Sequence, residues 1–245
     1  MSSVSIITPT YDREKFHARI MSCVRNQTYR NIEWIVLDDS PRPSRLLAAA
    51  DPGLVRYVHV PDRLTTGQKR NVLAEMAQGD IIVHFDDDDY YAPGYVGAMV
   101  HWFATHPVDF INLRGWFMHD TRHGFFGYWN LMIKTGLHFV CADTGVSATN
   151  VEDEDTFANN ELGWGFGYAY RRKVTQAIRY PEINWNNDCT FAQEVQRRFA
   201  MGHIMDVSGI CLHEMHGANA SRAFAQSNIP IFMLEKVFPG YTAVD

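Results

Sequence analysis

Four short apolar runs punctuate the first hundred residues: VSIITP (4–9), IEWIVLDD (32–39), VRYVHV (55–60) and DIIVHF (80–85). They are rich in β-branched residues and of strand length. Between them lie helical patterns. Residues 13–27 carry Phe16, Ile20 and Val24 at i, i+4 and i+8, and residues 67–79 carry Val72, Leu73 and Met76 on one face, with Gly79 expected to close the helix. Strands alternating with helices predict a parallel α/β sheet, in which ligands bind beyond the carboxyl ends of the strands. Those ends read Thr8-Pro9-Thr10-Tyr11, Asp38-Asp39 and Asp86 to Asp89, so dispersed polar residues are expected to meet at one edge.

The character changes after about residue 109. Residues 109–145 are aromatic- and glycine-rich, with a turn-like Thr121-Arg122-His123-Gly124, and predict antiparallel strands. The polar stretch 147–161 predicts a mobile loop. GWGFGYAYRRKV (163–174) predicts a strand with Trp164, Phe166, Tyr168 and Tyr170 on one face at period two. A helix over 188–201 and a strand running into a loop over 207–221 follow. With no repeat or linker, residues 1–245 are expected to form one domain with two halves, 1–105 and 106–245.

At 46% hydrophobic residues the chain can build a sizeable core, and a net charge of −6 gives no general attraction to nucleic acid or anionic membrane. No apolar run reaches the ~20 residues of a transmembrane helix, and no secretory signal is visible. Cys23, Cys141, Cys189 and Cys211 form no CxxC pair and are expected to be buried thiols, consistent with a cytoplasmic protein.

Asp86, Asp87, Asp88 and Asp89 follow the buried run 81–85 directly. Carboxylates in a row at a strand end can bind a hard divalent cation, accept hydrogen bonds from sugar hydroxyls, or supply a general base. Only the first relieves their repulsion. Period two places Asp86 and Asp88 on one side and Asp87 and Asp89 on the other. The plainer alternative is a solvated acidic turn with Asp89 capping the next helix.

The ordered segments VSIITPTYDR, SCVRNQTYRNIEWIVLDDS and TTGQKRNVLAEMAQGDIIVHFDDDDYYAPGYV closely resemble the N-terminal half of inverting family-2 glycosyltransferases. The resemblance implies a GT-A fold, with a Rossmann-like, mostly parallel central sheet flanked by helices and a smaller mixed or antiparallel sheet on the acceptor side. It implies a nucleotide-sugar donor, Mn²⁺ or Mg²⁺, and a glycan or other hydroxyl acceptor. Pro9, Thr10 and Tyr11 would line the base pocket, with Asp39 or Asp38 on the base and Lys69 or Arg70 near the base or diphosphate. Asp86 would contact the ribose and Asp88 the cation. Asp87 and Asp89 would shape the turn, with Asp89 close to the donor sugar.

The catalytic base of the resembled family follows the glycine–aromatic strand. That rule selects Asp188, in Asn187-Asp188-Cys189-Thr190-Phe191, over the earlier Glu152-Asp153-Glu154-Asp155. Asp188 opens a helix whose dipole favours an ionised carboxylate. Asn187 departs from the family, where a Glu is common. The late motif in LHEMHGANAS offers His216, with His213 as the alternative, to complete the metal site. Trp164, between two glycines, is the candidate for stacking on an acceptor sugar. A nucleotidyltransferase would want a glycine-rich phosphate loop after the first strand, and residues 8–13 hold no glycine. A catalytically silent nucleotide-sugar-binding module remains the third reading.

Overall fold

A computed structural model describes every residue except Met1, Ala158, Asn159, Gly163, Ala220, Ser221 and Asp245. The N-terminal runs become β1 (Val4–Thr10), β2 (Ile32–Asp38), β3 (Arg56–His59) and β4 (Ile81–His84), with α1 (Glu14–Arg25), α2 (Arg45–Ala48) and α3 (Thr66–Met76) between them. All four strands are parallel, in the order β4-β1-β2-β3. Alternate residues serve opposite faces: Ile6, Val36 and Val83 join one apolar cluster, Ile7, Ile35 and Ile82 the other. Burial on both faces is why these strands read as near-continuous apolar runs.

On α1, Phe16, Ile20 and Val24 are fully buried. A capping box starts α3: the Gln68 N–H donates to Thr65 Oγ1 at 3.1 Å, and the Thr65 N–H to Gln68 Oε1 at 2.9 Å. The helix stops at Met76, three residues before Gly79. Gly79 serves a close approach instead, since a Cβ there would lie 2.5 Å from the Ser5 nitrogen.

The chain continues through β5 (Tyr90–Tyr91), α4 (Tyr95–Thr105), β6 (Phe110–Asp120), β7 (Phe125–Asn130), β8 (Gly136–Ala142) and β9 (Gly145–Val151). Then come β10 (Ala169–Arg171), α5 (Lys173–Ala177), α6 (Asn187–Arg198), β11 (Met201–Met205), β12 (Cys211–Met215), β13 (Ala223–Ala225), β14 (Ser227–Ile229) and α7 (Leu234–Val237). The large sheet runs β14-β7-β6-β10-β4-β1-β2-β3, with β11 and β12 also on β6 and β5 on β12. β13-β8-β9 form a separate antiparallel sheet. The mixed α/β architecture with a second, smaller sheet is the one expected.

Two further sequence expectations fail. The polar stretch after 145 is not all loop: β9 pairs with β8 through Val151, and short 3-10 turns follow at Glu154–Phe157 and Asn160–Leu162. Residues 147–150 are exposed, so no apolar periodicity marks that strand. The glycine–aromatic segment is a strand only over β10, because Gly165–Gly167 form a 3-10 turn. The turn breaks period two: Trp164 and Phe166 join the cluster around Trp116, while Tyr168 and Tyr170 pack with Phe110 on the other face. Gly163 lies outside the described residues, as do Ala158 and Asn159 of the acidic stretch and Ala220 and Ser221 of the late motif. The four cysteines are buried. Among the described residues, no helix is long and apolar enough to cross a membrane.

Candidate active site

The carboxyl edge of β1 and β4, the turn at 165–167, the start of α6 and β12 enclose a cleft of about 670 Å³. Of the residues singled out in sequence, Pro9, Thr10, Tyr11, Lys69, Arg70, Asp86, Asp87, Asp88, Trp164, Asp188 and His213 line it. Asp38, Asp39, Asp89 and His216 stand behind that lining.

Asp38 accepts from the Ser40 N–H at 2.9 Å, from the Ser40 hydroxyl and from the Tyr57 hydroxyl at 2.6 Å. Burial alone would raise its pKa, but these donors lower it. Its carboxylate is therefore spent on fixing the 38–44 turn. Asp39 accepts from Lys69 Nζ at 2.7 Å, from the Leu64 N–H at 2.8 Å and from Arg63. Its burial is likewise outweighed, chiefly by Lys69, and its pKa falls. Arg63 lies over the Tyr11 ring at 3.3 Å from the centroid. Tyr11 and Arg63 thus form the accessible surface of this end, with Asp39 anchoring Arg63 and the buried Lys69.

The four aspartates each meet a different environment. Asp86, with 29% of its side chain exposed, has Arg70 Nη2 at 3.9 Å. Burial of the carboxyl and the neighbouring Asp89, Asp88 and Asp188 charges outweigh Arg70 and raise its pKa to about 7. Asp87 accepts the Thr10 hydroxyl, and burial with the Asp88 charge pushes its pKa well up. Asp88 Oδ2 lies 2.9 Å from Arg13 Nη1 and 3.1 Å from His216 Nε2. Burial would raise Asp88, but the His216 hydrogen bond and the Arg13 charge hold it at about 2. Asp89 turns inward, where Oδ1 accepts from His213 Nδ1 at 2.8 Å and from the Glu214 N–H at 3.0 Å. The segment is a turn rather than a continued strand, so strict alternation gives way to four separate partners. Tertiary contacts supply the cations that the neighbouring sequence lacks.

The two histidines divide. His216 faces Asp88, and its Nδ1 accepts the Ala218 N–H at 3.1 Å. His213 pairs with Asp89 and stacks on Phe166, with centroids 4.7 Å apart. Burial lowers its pKa, but the Asp89 carboxylate outweighs that and raises it. Among the described residues, no three or more His, Cys, Asp or Glu side chains gather as a self-sufficient metal site. Asp88 and His216 nevertheless converge on one cationic nitrogen. Two such ligands suit a hard divalent ion that takes its remaining oxygens from water and a diphosphate.

Across the cleft, α6 starts at Asn187 after Asn186, whose φ of 62° is left-handed. Asp188 sits in the first turn, with Oδ2 accepting the Gly165 N–H at 3.0 Å and Oδ1 the Cys189 N–H at 2.9 Å. Gly165 has no room for a side chain, since a Cβ would lie 2.3 Å from Arg70 Nη2. Asn187 Oδ1 accepts from Arg70 Nη1 at 2.7 Å. Of the alternative acids 152–155, none lines the cleft. Trp164 is largely buried against Trp129 and Trp116, at 4.7 and 5.3 Å between centroids. Trp185, unmarked in the sequence reading, also lines the cleft and is 66% exposed. Its loop is held to α3 by Thr66 N–H to Asn184 Oδ1 at 3.0 Å and Gly67 N–H to Ile183 O at 3.1 Å. Arg13 and Arg63 were missed as well. Their sole sequence signal was a position beside a strand end or just before a helix.

A sheet of this topology, with an acid-lined cleft at its carboxyl edge, has the GT-A arrangement. The profile described as Glycosyl transferase family 2 matches residues 5–137, more than half of the 245. The chain belongs to that family. An uncharacterized glycosyltransferase from Haemophilus influenzae is 34% identical over 97 residues, 38% of this chain and 38% of that protein. The match thus spans about two-fifths of that relative. Among solved structures, Staphylococcus aureus TarS in complex with UDP-GlcNAc superposes with a TM-score of 0.68 at 18% identity, covering 89% of this chain and 60% of TarS. The mannosyltransferase PcManGT from Pyrobaculum calidifontis, in complex with GDP-Man and Mn²⁺, gives 0.61 at 17% identity, covering 89% and 58%.

Proposed function

We propose that this chain is a metal-dependent inverting glycosyltransferase. It moves a sugar from a UDP- or GDP-linked donor to a hydroxyl of a glycan or similar acceptor. The observation that carries the reading is the placement of Asp188 in the same cleft as Asp86–Asp88, with one Asp188 oxygen fixed by the Gly165 N–H. The UDP-GlcNAc and the GDP-Man with Mn²⁺ held by TarS and PcManGT support the donor class and the cation.

The base of the nucleotide stacks at Tyr11, with Lys69 and Arg63 beside it as donors toward carbonyl oxygens. Asp88 and His216 would hold Mn²⁺ or Mg²⁺, which would supply positive charge to offset that growing on the leaving diphosphate. Arg70, buried against Asn187 and close to Asp86, fixes that side of the donor site. Asp188 accepts the proton of the attacking hydroxyl, and attack from its side with departure toward Asp88 inverts the anomeric carbon. Trp185, exposed three residues before Asp188, offers a ring face for the acceptor sugar, while Trp164 acts mainly as the wall behind it.

A thermal-shift screen of UDP-glucose, UDP-GlcNAc and GDP-mannose with and without Mn²⁺ tests the reading. At least one donor is expected to stabilise the chain only when Mn²⁺ is present. The proposal fails if none does.

A further inference from the structure

Arg13 occupies an unexpected place. Its Nη1 lies 2.9 Å from Asp88 Oδ2 and 3.0 Å from His216 Nε2, and those two atoms are 3.1 Å apart. The triangle encloses one positive group between the two side chains best disposed to ligate a cation. Nη2 donates to Ala218 O at 2.9 Å, tying the loop after His216 to the same guanidinium. Arg13 itself sits at the entry to α1, after Asp12 at a left-handed φ of 52°.

We propose that the Arg13 guanidinium holds the place of the divalent cation between Asp88 and His216, and is displaced toward the donor diphosphate when that cation loads. This inference rests on the metal-dependent reading above.

Three observations favour displacement over a permanent ion pair. The Arg13 side chain is 24% exposed and lines the cleft, so it has somewhere to go. The Nη1–Nε2 edge joins two nitrogens that both act as donors. Ala218 N–H already occupies His216 Nδ1, so a neutral ring carries its proton on Nε2 and points it at Asp88. A metal must take that Nε2 lone pair, which requires the Ala218 N–H to turn aside, and Arg13 is one of the groups holding Ala218, through its carbonyl. The departure of Arg13 therefore vacates the cation position and removes one tie on the loop, which Asn219 still holds to His216 and Glu214. A guanidinium and a divalent ion cannot share this position, because like charges at ~3 Å repel strongly. A diphosphate gives the displaced guanidinium a matching bidentate partner.

The test is Mn²⁺ binding without any nucleotide, read from free Mn²⁺ by electron paramagnetic resonance. Arg13→Gln is expected to bind Mn²⁺ about tenfold more tightly than the wild type or better. Arg13→Lys, which keeps a competing charge, should stay near the wild type. Equal or weaker binding by Arg13→Gln overturns the inference while leaving metal dependence intact. If neither protein binds Mn²⁺, the inference is overturned, while metal dependence itself is decided by the donor screen with and without Mn²⁺. A readout that needs no variant guards against misfolding. In the wild type, Mg²⁺ should move the Arg13 side-chain ¹⁵N resonances, and resonances that stay put while Mg²⁺ binds also overturn the inference.

Discussion

Arg70 Nη1 donates to the side-chain carbonyl of Asn187 at 2.7 Å, and Asn187 is the residue before Asp188. One buried guanidinium therefore touches the Asp188 side of the cleft and approaches Asp86 at 3.9 Å. A neutral amide at 187 satisfies Arg70 without cancelling its charge. Asn187→Ala strips a buried cation of an acceptor and is expected to cost about 1–3 kcal/mol in urea denaturation. Transfer should fall beyond what that stability loss explains, because Arg70 and the start of α6 both lose their alignment.

Asp188→Asn keeps an oxygen that can accept the Gly165 N–H but cannot take a proton. Transfer should drop by roughly 10²–10⁴-fold, the usual worth of a general base. Calorimetric donor affinity in the presence of Mn²⁺ should not change. A variant that also lost donor binding would assign Asp188 to the donor site instead.

Two glycines near the cleft separate activity from stability. At Gly67 a Cβ would lie 1.8 Å from the Pro181 carbonyl oxygen, which belongs to backbone. Gly67→Ala should lower the melting temperature more than Gly165→Ala, at or above the ~1–3 kcal/mol typical of overpacking. Gly165→Ala pushes on the end of the Arg70 side chain, so it should show the larger loss of transfer at a matched loss of stability.

His216 faces Asp88, whereas His213 is bound to Asp89. His216→Ala should therefore weaken Mn²⁺ binding by more than the ~10–100-fold that a supporting residue typically costs. His213→Ala should fall within that supporting range or below it. Equilibrium dialysis against Mn²⁺ distinguishes the two.

His84, at the end of β4, is wholly buried among Tyr170, Tyr180 and Tyr168. Burial, with the Arg70 charge added, drives its pKa well below 6.5. The folded chain thus keeps the ring neutral while the unfolded chain binds a proton as pH falls below about 6.5. Its stability contribution is complete above that pH and is lost below it, at up to ~1.4 kcal/mol per pH unit. His84→Gln should flatten the acid limb of a pH–stability profile measured between pH 8 and 5, even if it lowers the plateau.

The N-terminal half was legible because its strands are buried on both faces and its helices carry an apolar stripe: Phe16, Ile20 and Val24 in α1 announce both helix and orientation. β9 was not, because a strand exposed along 147–150 has no apolar face to betray it. The Gly165–Gly167 turn was hidden for the opposite reason, since alternating aromatics imitate a strand and the glycines that permit the turn look like spacers. Asp86, Asp87, Asp88 and Asp188 could be placed in one cleft because strand ends and helix starts are local features. The place of Arg13 and the anchoring role of Asp89 could not be read. They depend on contacts spanning 75 residues for Arg13 and Asp88, and 124 for Asp89 and His213.

β12 pairs with β5 through Cys211↔Tyr91 and Leu212↔Tyr90, and with β6 through Leu212↔Phe117. β10, also from late in the chain, pairs with both β4 and β6. The portion that reads as a self-contained nucleotide module therefore has no seam at residue 105. Recombining it with a foreign carboxyl half would unzip the ladder that carries His213 and the aspartate turn together. The separable piece is smaller: the hairpin of β8 and β9 lies outside the main sheet and pairs with the later chain through β13.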